Sequence, residues 1–257
     1  MSVTKKKVIT SLKWKFFERI SSQLVTFFIT LVLARILTPG DYGTIALLTV
    51  FINIATVFVQ GGFNTALIQG EDVTDKDYSS VLYFSLGVAG IIYIILFISA
   101  PFIAIFYNQE ILTDMTRVLA IILFFGAFNS VQVAYVTREL QFKILFNCNF
   151  LSNIASGIIG ILLALLGTGA WALVVQQLLY QLFVCVLMFR YTQWRPSLYC
   201  SFKRLRKLVS FGGRILISNL LVTIFLNIRS LFVGKIYSSV ELGYFDKGKQ
   251  FPRTLMD

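Results

Sequence analysis

Long apolar runs alternate with short polar breaks along this chain, and the breaks come at intervals that suit membrane helices. The runs lie at 16–37, 42–60, 81–106, 115–137, 145–166, 170–191 and 211–236, and an eighth opens near Leu242. Each is close to the ~20 residues that cross a ~30 Å hydrocarbon core at a rise of 1.5 Å per residue. Backbone groups in lipid must pair within their own segment, so such runs become helices. A strand barrel would need apolar and polar residues to alternate, and here they do not. The pattern predicts an all-α, polytopic membrane helix bundle.

One break is written twice. ARILTPGDYG at 34–43 recurs without a gap as GKIYSSVELG at 234–243, pairing Arg35 with Lys235, Ile36 with Ile236, Thr38 with Ser238, Asp41 with Glu241 and Gly43 with Gly243. Upstream, FFERI at 16–20 resembles FGGRI at 211–215. This spacing is too long for a solenoid repeat. It predicts two lobes that each open with the same pair of helices: a first lobe over 1–200 with six spans and a cytoplasmic amino terminus, and the start of a second over 201–257. The eighth run stops at Asp257 before it crosses, so the expectation is a fragment of a longer protein with about half of a central cavity.

Within the repeat, Thr38-Pro39-Gly40-Asp41 is a turn. Pro39 and Gly40 are expected to stop the first helix and Asp41 to cap the second, making helices one and two antiparallel neighbours. Ser152, Ser156, Gly157 and Gly160 line one side of the fifth run and predict close helix packing. Thr74 and Asp77 have capping-box spacing ahead of the third run.

Charge sets the orientation. Lys5, Lys6, Lys7, Lys13 and Lys15 precede the first run, and Arg190, Arg195, Lys203, Arg204, Arg206 and Lys207 lie between the sixth and seventh. The positive-inside rule places both groups in the cytoplasm, which requires an even number of spans between them, as six runs provide. Arg138 and Lys143 then also fall inside, while the 167–169 turn and the stretch near Asn108 fall outside. Segment 61–80 falls inside despite Glu71, Asp72, Asp75 and Asp77, because acidic residues contribute little to orientation.

Composition agrees with this picture. Of 257 residues, 57% are hydrophobic and 14% charged, with a mean hydropathy of +0.78, against about a quarter charged in a soluble domain. The net charge of +11 sits in particular loops and is not a basic patch with interleaved aromatics, which argues against nucleic acid. Cys148, Cys185 and Cys200 are odd in number and two lie inside apolar runs, so no disulfide framework is expected. There is no histidine, no carboxylate pair inside a span and no glycine-rich phosphate loop, so no catalytic or metal-ligating residue and no cofactor is predicted.

Polar positions inside the runs carry the functional signal. On a helical wheel Arg19, Ser22, Gln23, Thr26 and Thr30 share a sector of the first span, and Tyr42, Thr49, Asn53, Thr56 and Gln60 share a face of the second. In the seventh, Asn219, Thr223, Asn227 and Ser230 align, with Arg229 on the flank and Arg214 near the cytoplasmic end; the sixth adds Gln177, Tyr180 and Gln181. Such stripes face a partner helix or water. Arginine near the middle of a span costs at least about 2.5 kcal/mol, so Arg229 requires compensation. Guanidinium binds phosphate in a bidentate manner. Cations without matching carboxylates therefore suit an anionic substrate, such as a diphosphate carrying sugars. The predicted cavity residues are Arg19, Gln23, Thr26, Asn53, Gln60, Arg214, Asn227 and Arg229.

Five stretches add a resemblance: LARILTPGDYG, GGFNTALIQ, TRELQFK, GAWALVVQQLL and LFVGKIYSSVELGYF. As a set, and in this order, they resemble the polysaccharide biosynthesis and export proteins, the Wzx-type oligosaccharide flippases of the lipopolysaccharide and colanic-acid type. These belong to the multidrug/oligosaccharidyl-lipid/polysaccharide exporter superfamily. The resemblance covers nearly the whole chain. It implies a multi-pass transporter of the bacterial inner membrane with twelve or more spans, and as its substrate an undecaprenyl-diphosphate-linked oligosaccharide turned from the cytoplasmic to the periplasmic leaflet. It implies polysaccharide polymerase and chain-length proteins as partners, beside the lipid bilayer, and a diphosphate contact for Arg19, Arg214 and Arg229. Where relatives often carry Asp-Asn in the seventh span, this chain has Arg229-Ser230. Two alternatives are a cation-coupled multidrug exporter of the same superfamily and a non-transporting membrane subunit of a polysaccharide assembly complex.

Overall fold

The computed structural model describes residues 2–70, 73–197 and 202–256, with side chains for 13–17, 19–70, 73–197 and 212–248. Glu71, Asp72 and Cys200 lie outside the described residues, as do the side chains of Lys5, Lys6, Lys7, Lys203, Arg204, Arg206 and Lys207. The described chain is helical throughout: α1 (Ser2–Ile36), α2 (Pro39–Gln60), α3 (Phe63–Gln69), α4 (Asp75–Tyr107), α5 (Ile111–Leu119), α6 (Ile122–Arg138), α7 (Phe142–Leu165), α8 (Ala170–Tyr191), α9 (Phe202–Ile236) and α10 (Ser239–Met256). Among the described residues, seven segments are long and apolar enough to cross a membrane, and each overlaps one of the seven apolar runs.

Two of the seven are composite. The second, Pro39–Gln69, joins α2 to α3 through Gly61 and Gly62, both at positive φ (48° and 72°), where a side chain would be strained. The fourth, Ile111–Arg138, breaks between α5 and α6 near Ala120. The apolar pattern leaves 61–80 as a loop. In fact α3 occupies its start, burying Phe63, Ala66 and Leu67, because seven residues are too few to display a period. The expected capping box at the start of α4 is present: the Thr74 backbone N–H and hydroxyl donate to Asp77 at 2.9 and 2.8 Å.

The turn between α1 and α2 differs in detail from expectation. Pro39 and Gly40 do not stop α1; they begin α2, where proline loses no hydrogen bond because the first helical N–H has no partner in the helix. Thr38 is the N-cap, extended at φ −78° and ψ 156°, and Asp41 reaches back from the third helical position. The Thr38 N–H and hydroxyl donate to Asp41 Oδ2 at 2.9 and 2.7 Å. Two hundred residues later α9 ends at Ile236 and α10 begins at Ser239, and the Glu241 N–H donates to Ser238 Oγ at 3.3 Å. The sequence repeat is therefore also a repeat of backbone structure.

Helices one and two are not packed as antiparallel neighbours, contrary to the sequence expectation. α1 lies along α7, and α2 lies against α10, α9 and α6. A short turn fixes only where two helices meet, whereas side-chain shape decides what each lies against. The small-residue stripe of α7 is what α1 selects: Gly157 receives Ile29, leaving no room for a Cβ, while Gly160 faces Gln176 of α8, with 3.0 Å from an added Cβ to Gln176 Cβ. Gly157→Ala is expected to cost about 1–3 kcal/mol by overpacking. Because the clash is with the end of a side chain, Ile29→Ala in the same protein should recover most of it. Thermal unfolding of the single and double variants in detergent checks this, and additive losses would contradict the contact.

α9 touches the α2–α3 segment at both of its described ends. Gly212 sits against Gly61 and Gly62, and Gly234 against Leu47. The two copies of the repeated turn also meet each other. A Cβ on Gly43 would overlap the Ser239 carbonyl, and one on Gly243 would overlap the Pro39 carbonyl. Ser239 stands where Pro39 stands in the repeat, so the contact is reciprocal, as across a two-fold axis.

Candidate functional site

A hollow of about 380 Å³ lies between α1, α6, α7 and α8. Ser22 and Thr26 of α1 form one wall, and Asn153 and Ser156 of α7 another; α8 supplies Gln176, Gln177, Tyr180 and Gln181, and Ile122 of α6 closes the side. The α8 groups fall four apart in two pairs, Gln176 with Tyr180 and Gln177 with Gln181, which keeps them on one face. All four helices count as spans, so this polar surface lies at membrane depth.

Neutral hydrogen bonds hold the walls in position. Asn153 Nδ2 donates to Thr26 Oγ1 at 2.8 Å and to the Ser22 carbonyl at 3.3 Å, tying α7 to α1. Asn129 Nδ2, on α6, donates to Gln181 Oε1 at 2.8 Å and to its carbonyl at 3.2 Å, fixing which way the Gln181 amide faces. The Tyr180 hydroxyl donates to Asn149 Oδ1 at 3.5 Å. Some capacity is unused: Ser22 Oγ and Asn129 Oδ1 are buried without a partner. Gln132 of α6 is 0% exposed and both its amide atoms lack partners. An unmet buried polar group costs about 1–3 kcal/mol, so α1 and α6 carry polar groups that packing alone does not explain. No Asp, Glu, Lys or Arg lines the hollow, and among the described residues no metal-ligating cluster occurs.

The eight predicted cavity residues divide into two groups. Thr26 lines the hollow, and half-buried Gln23 lies beside it in sequence. Arg19 is exposed on the same α1 sector, about 4.5 Å along the axis from Ser22 by helical rise. The other five stand on α2 and α9, which pack together. Asn53, Gln60, Arg214 and Arg229 are exposed, and half-buried Asn227 donates to the Thr223 carbonyl at 2.8 Å, within its own helix. None of these five lines the hollow. Asn153 and Gln176 have no counterpart among the predicted residues, because single amides on α7 and α8 show no charge or motif, and Ser156, expected in a packing stripe, also lines the hollow. The stripe Gln177, Tyr180 and Gln181 was the one available signal.

These features define a class, a multi-pass membrane helix bundle in which one helix–turn–helix junction recurs. The chain belongs to the family described as "Polysaccharide biosynthesis protein", whose profile it matches over residues 32–257. It is 26% identical over 199 residues to the teichuronic acid biosynthesis protein TuaB of Bacillus subtilis, covering 76% of this chain and 41% of that one. It is 23% identical over 216 residues to the succinoglycan biosynthesis transport protein ExoT of Rhizobium meliloti, covering 82% and 43%. The chain thus spans less than half the length of these two relatives. Its fold is similar to that of a multidrug resistance MATE family transporter of the MOP superfamily, solved in an inward-facing conformation. The TM-score is 0.58 at 16% identity, over 87% of this chain and 56% of that one.

Proposed function

We propose that this chain is part of a transporter that moves an undecaprenyl-diphosphate-linked oligosaccharide across the bacterial inner membrane for cell-surface polysaccharide synthesis. One observation carries the reading. Arg19, Arg214 and Arg229 stand exposed on spanning helices, and among the described residues none is paired with a carboxylate. A diphosphate offers such groups the bidentate partner they lack. Membership of a polysaccharide biosynthesis family and the transporter-type fold support the same reading. A cation-coupled multidrug exporter would call for a carboxylate in the cavity, and none lines the hollow.

The test uses the full-length protein in vesicles carrying a polyprenyl-diphosphate oligosaccharide, with movement between leaflets followed by accessibility to an added glycosidase. Wild type is expected to move the lipid, and Arg19→Ala, Arg214→Ala and Arg229→Ala each to slow it about ten-fold, about 1.4 kcal/mol per step. Unchanged rates in all three variants would remove the proposed diphosphate contacts. Absence of movement by wild type would leave a non-transporting assembly subunit as the better account.

A further inference from the structure

Building on the proposed transport of a glycolipid, we infer that the neutral hollow in the first lobe is a saccharide subsite, separate from the arginines that meet the diphosphate. Its chemistry is selective. A sugar hydroxyl both donates and accepts, and the side-chain amides and hydroxyls that line this space do the same. A diphosphate or a metal cation is met best by fixed opposite charge, and the lining residues have none. A volume of about 380 Å³ falls within the ~300–1,000 Å³ usual for small-molecule sites. Tyr180 adds an aromatic ring to the wall, a common partner for the apolar face of a sugar.

The hollow is also prepared for a ligand. Asn129 sets the Gln181 amide and Asn153 bridges α7 to α1, so the walls are held before anything binds and little ordering remains to be paid for on binding. Gln177 makes no hydrogen bond among the described residues, and Ser22 Oγ has no partner although buried. Both belong to the lining and both have unused hydrogen-bonding capacity. Position agrees with this. Arg19 lies about 4.5 Å before Ser22 and about 10 Å before Thr26 along α1, so a phosphate at Arg19 leaves the attached sugars beside the hollow.

The experiment measures binding of two probes to the full-length protein in nanodiscs: a bare polyprenyl diphosphate and the same lipid bearing a neutral tetrasaccharide. Wild type should bind the glycosylated lipid at least ten-fold more tightly. Gln177→Leu and Asn153→Leu should each abolish that preference while changing the Kd of the bare lipid less than two-fold, and Arg19→Ala should weaken both probes equally. Gln177→Leu is the decisive variant, because it removes no bond within the bundle, whereas Asn153→Leu also cuts the tie to α1. Loss of affinity for both probes in Gln177→Leu, or retention of the preference there, overturns the subsite. If the preference is present and depends on Gln177 but wild type moves no lipid in vesicles, the transport reading fails and the subsite stands. If wild type moves the lipid and Gln177→Leu binds both probes as wild type does, the subsite fails and the transport reading stands.

Discussion

Gly43→Ala in the full-length protein will force α2 and α10 apart. The added Cβ would overlap the backbone carbonyl of Ser239, and the same change at Gly243 would overlap the carbonyl of Pro39. Trimming a neighbouring side chain cannot relieve either clash, since the obstacle is main chain. Overpacking in a well-packed interior costs about 1–3 kcal/mol; a backbone obstacle puts the expected cost at the upper end, about 3 kcal/mol for either glycine. A thiol-reactive cross-linker between Gly40→Cys and Val240→Cys provides the measurement, because a Cβ at Gly40 would stand 3.7 Å from Val240 Cγ2. Cross-linking should be efficient in an otherwise wild-type protein and drop severalfold with Gly43→Ala or Gly243→Ala. Undiminished cross-linking together with unchanged thermal stability would mean that the two turns do not touch.

The second large effect is expected at Arg138. Its Nη1 donates to the Leu67 carbonyl at 3.0 Å and to the Gly70 carbonyl at 2.6 Å, so a guanidinium from the end of α6 closes the carboxyl end of α3. A cation there also complements the partial negative charge of the helix end. Hydrogen bonds to charged groups are each worth about 1.5–3 kcal/mol, and removing the donor leaves two acceptors unmet. Arg138→Ala is expected to destabilise the protein by about 3 kcal/mol. Arg138→Lys should recover only part of this, because a single ammonium lacks the planar fork. Thermal unfolding in detergent gives the ranking, and equal stability of all three proteins would refute the cap. The α3 segment lies under Trp194 and Tyr78 in one apolar cluster, so its release should also raise tryptophan exposure to a soluble quencher.

Arg138 marks the boundary of what could be read in advance. In the sequence it is a positive charge near a helix end, which assigns the segment to the cytoplasmic side; nothing there tells that it reaches a carbonyl about seventy positions earlier. The predicted cavity residues follow the same division. That Arg19, Gln23 and Thr26 share a face of α1 with Ser22 was visible, since a helical wheel needs only spacing. That this face meets Asn153 of α7 was not, and the short turn to α2 suggested the wrong neighbour.

The amino-acid sequence by itself determined the number and approximate place of the spans, the all-helical class, the capping box of α4 and the twofold recurrence of one turn. These depend on hydropathy, on a fixed rise per residue and on hydrogen bonds that close within four positions, so they are local. Tertiary structure alone decided that α1 lies on α7, that Gly43 and Gly243 exchange places against each other's turns, and that amides from α7 and α8 enclose a hollow with α1. Partner choice in a bundle depends on how grooves left by small residues match side chains more than a hundred positions away, and that match exists only once the helices are set side by side.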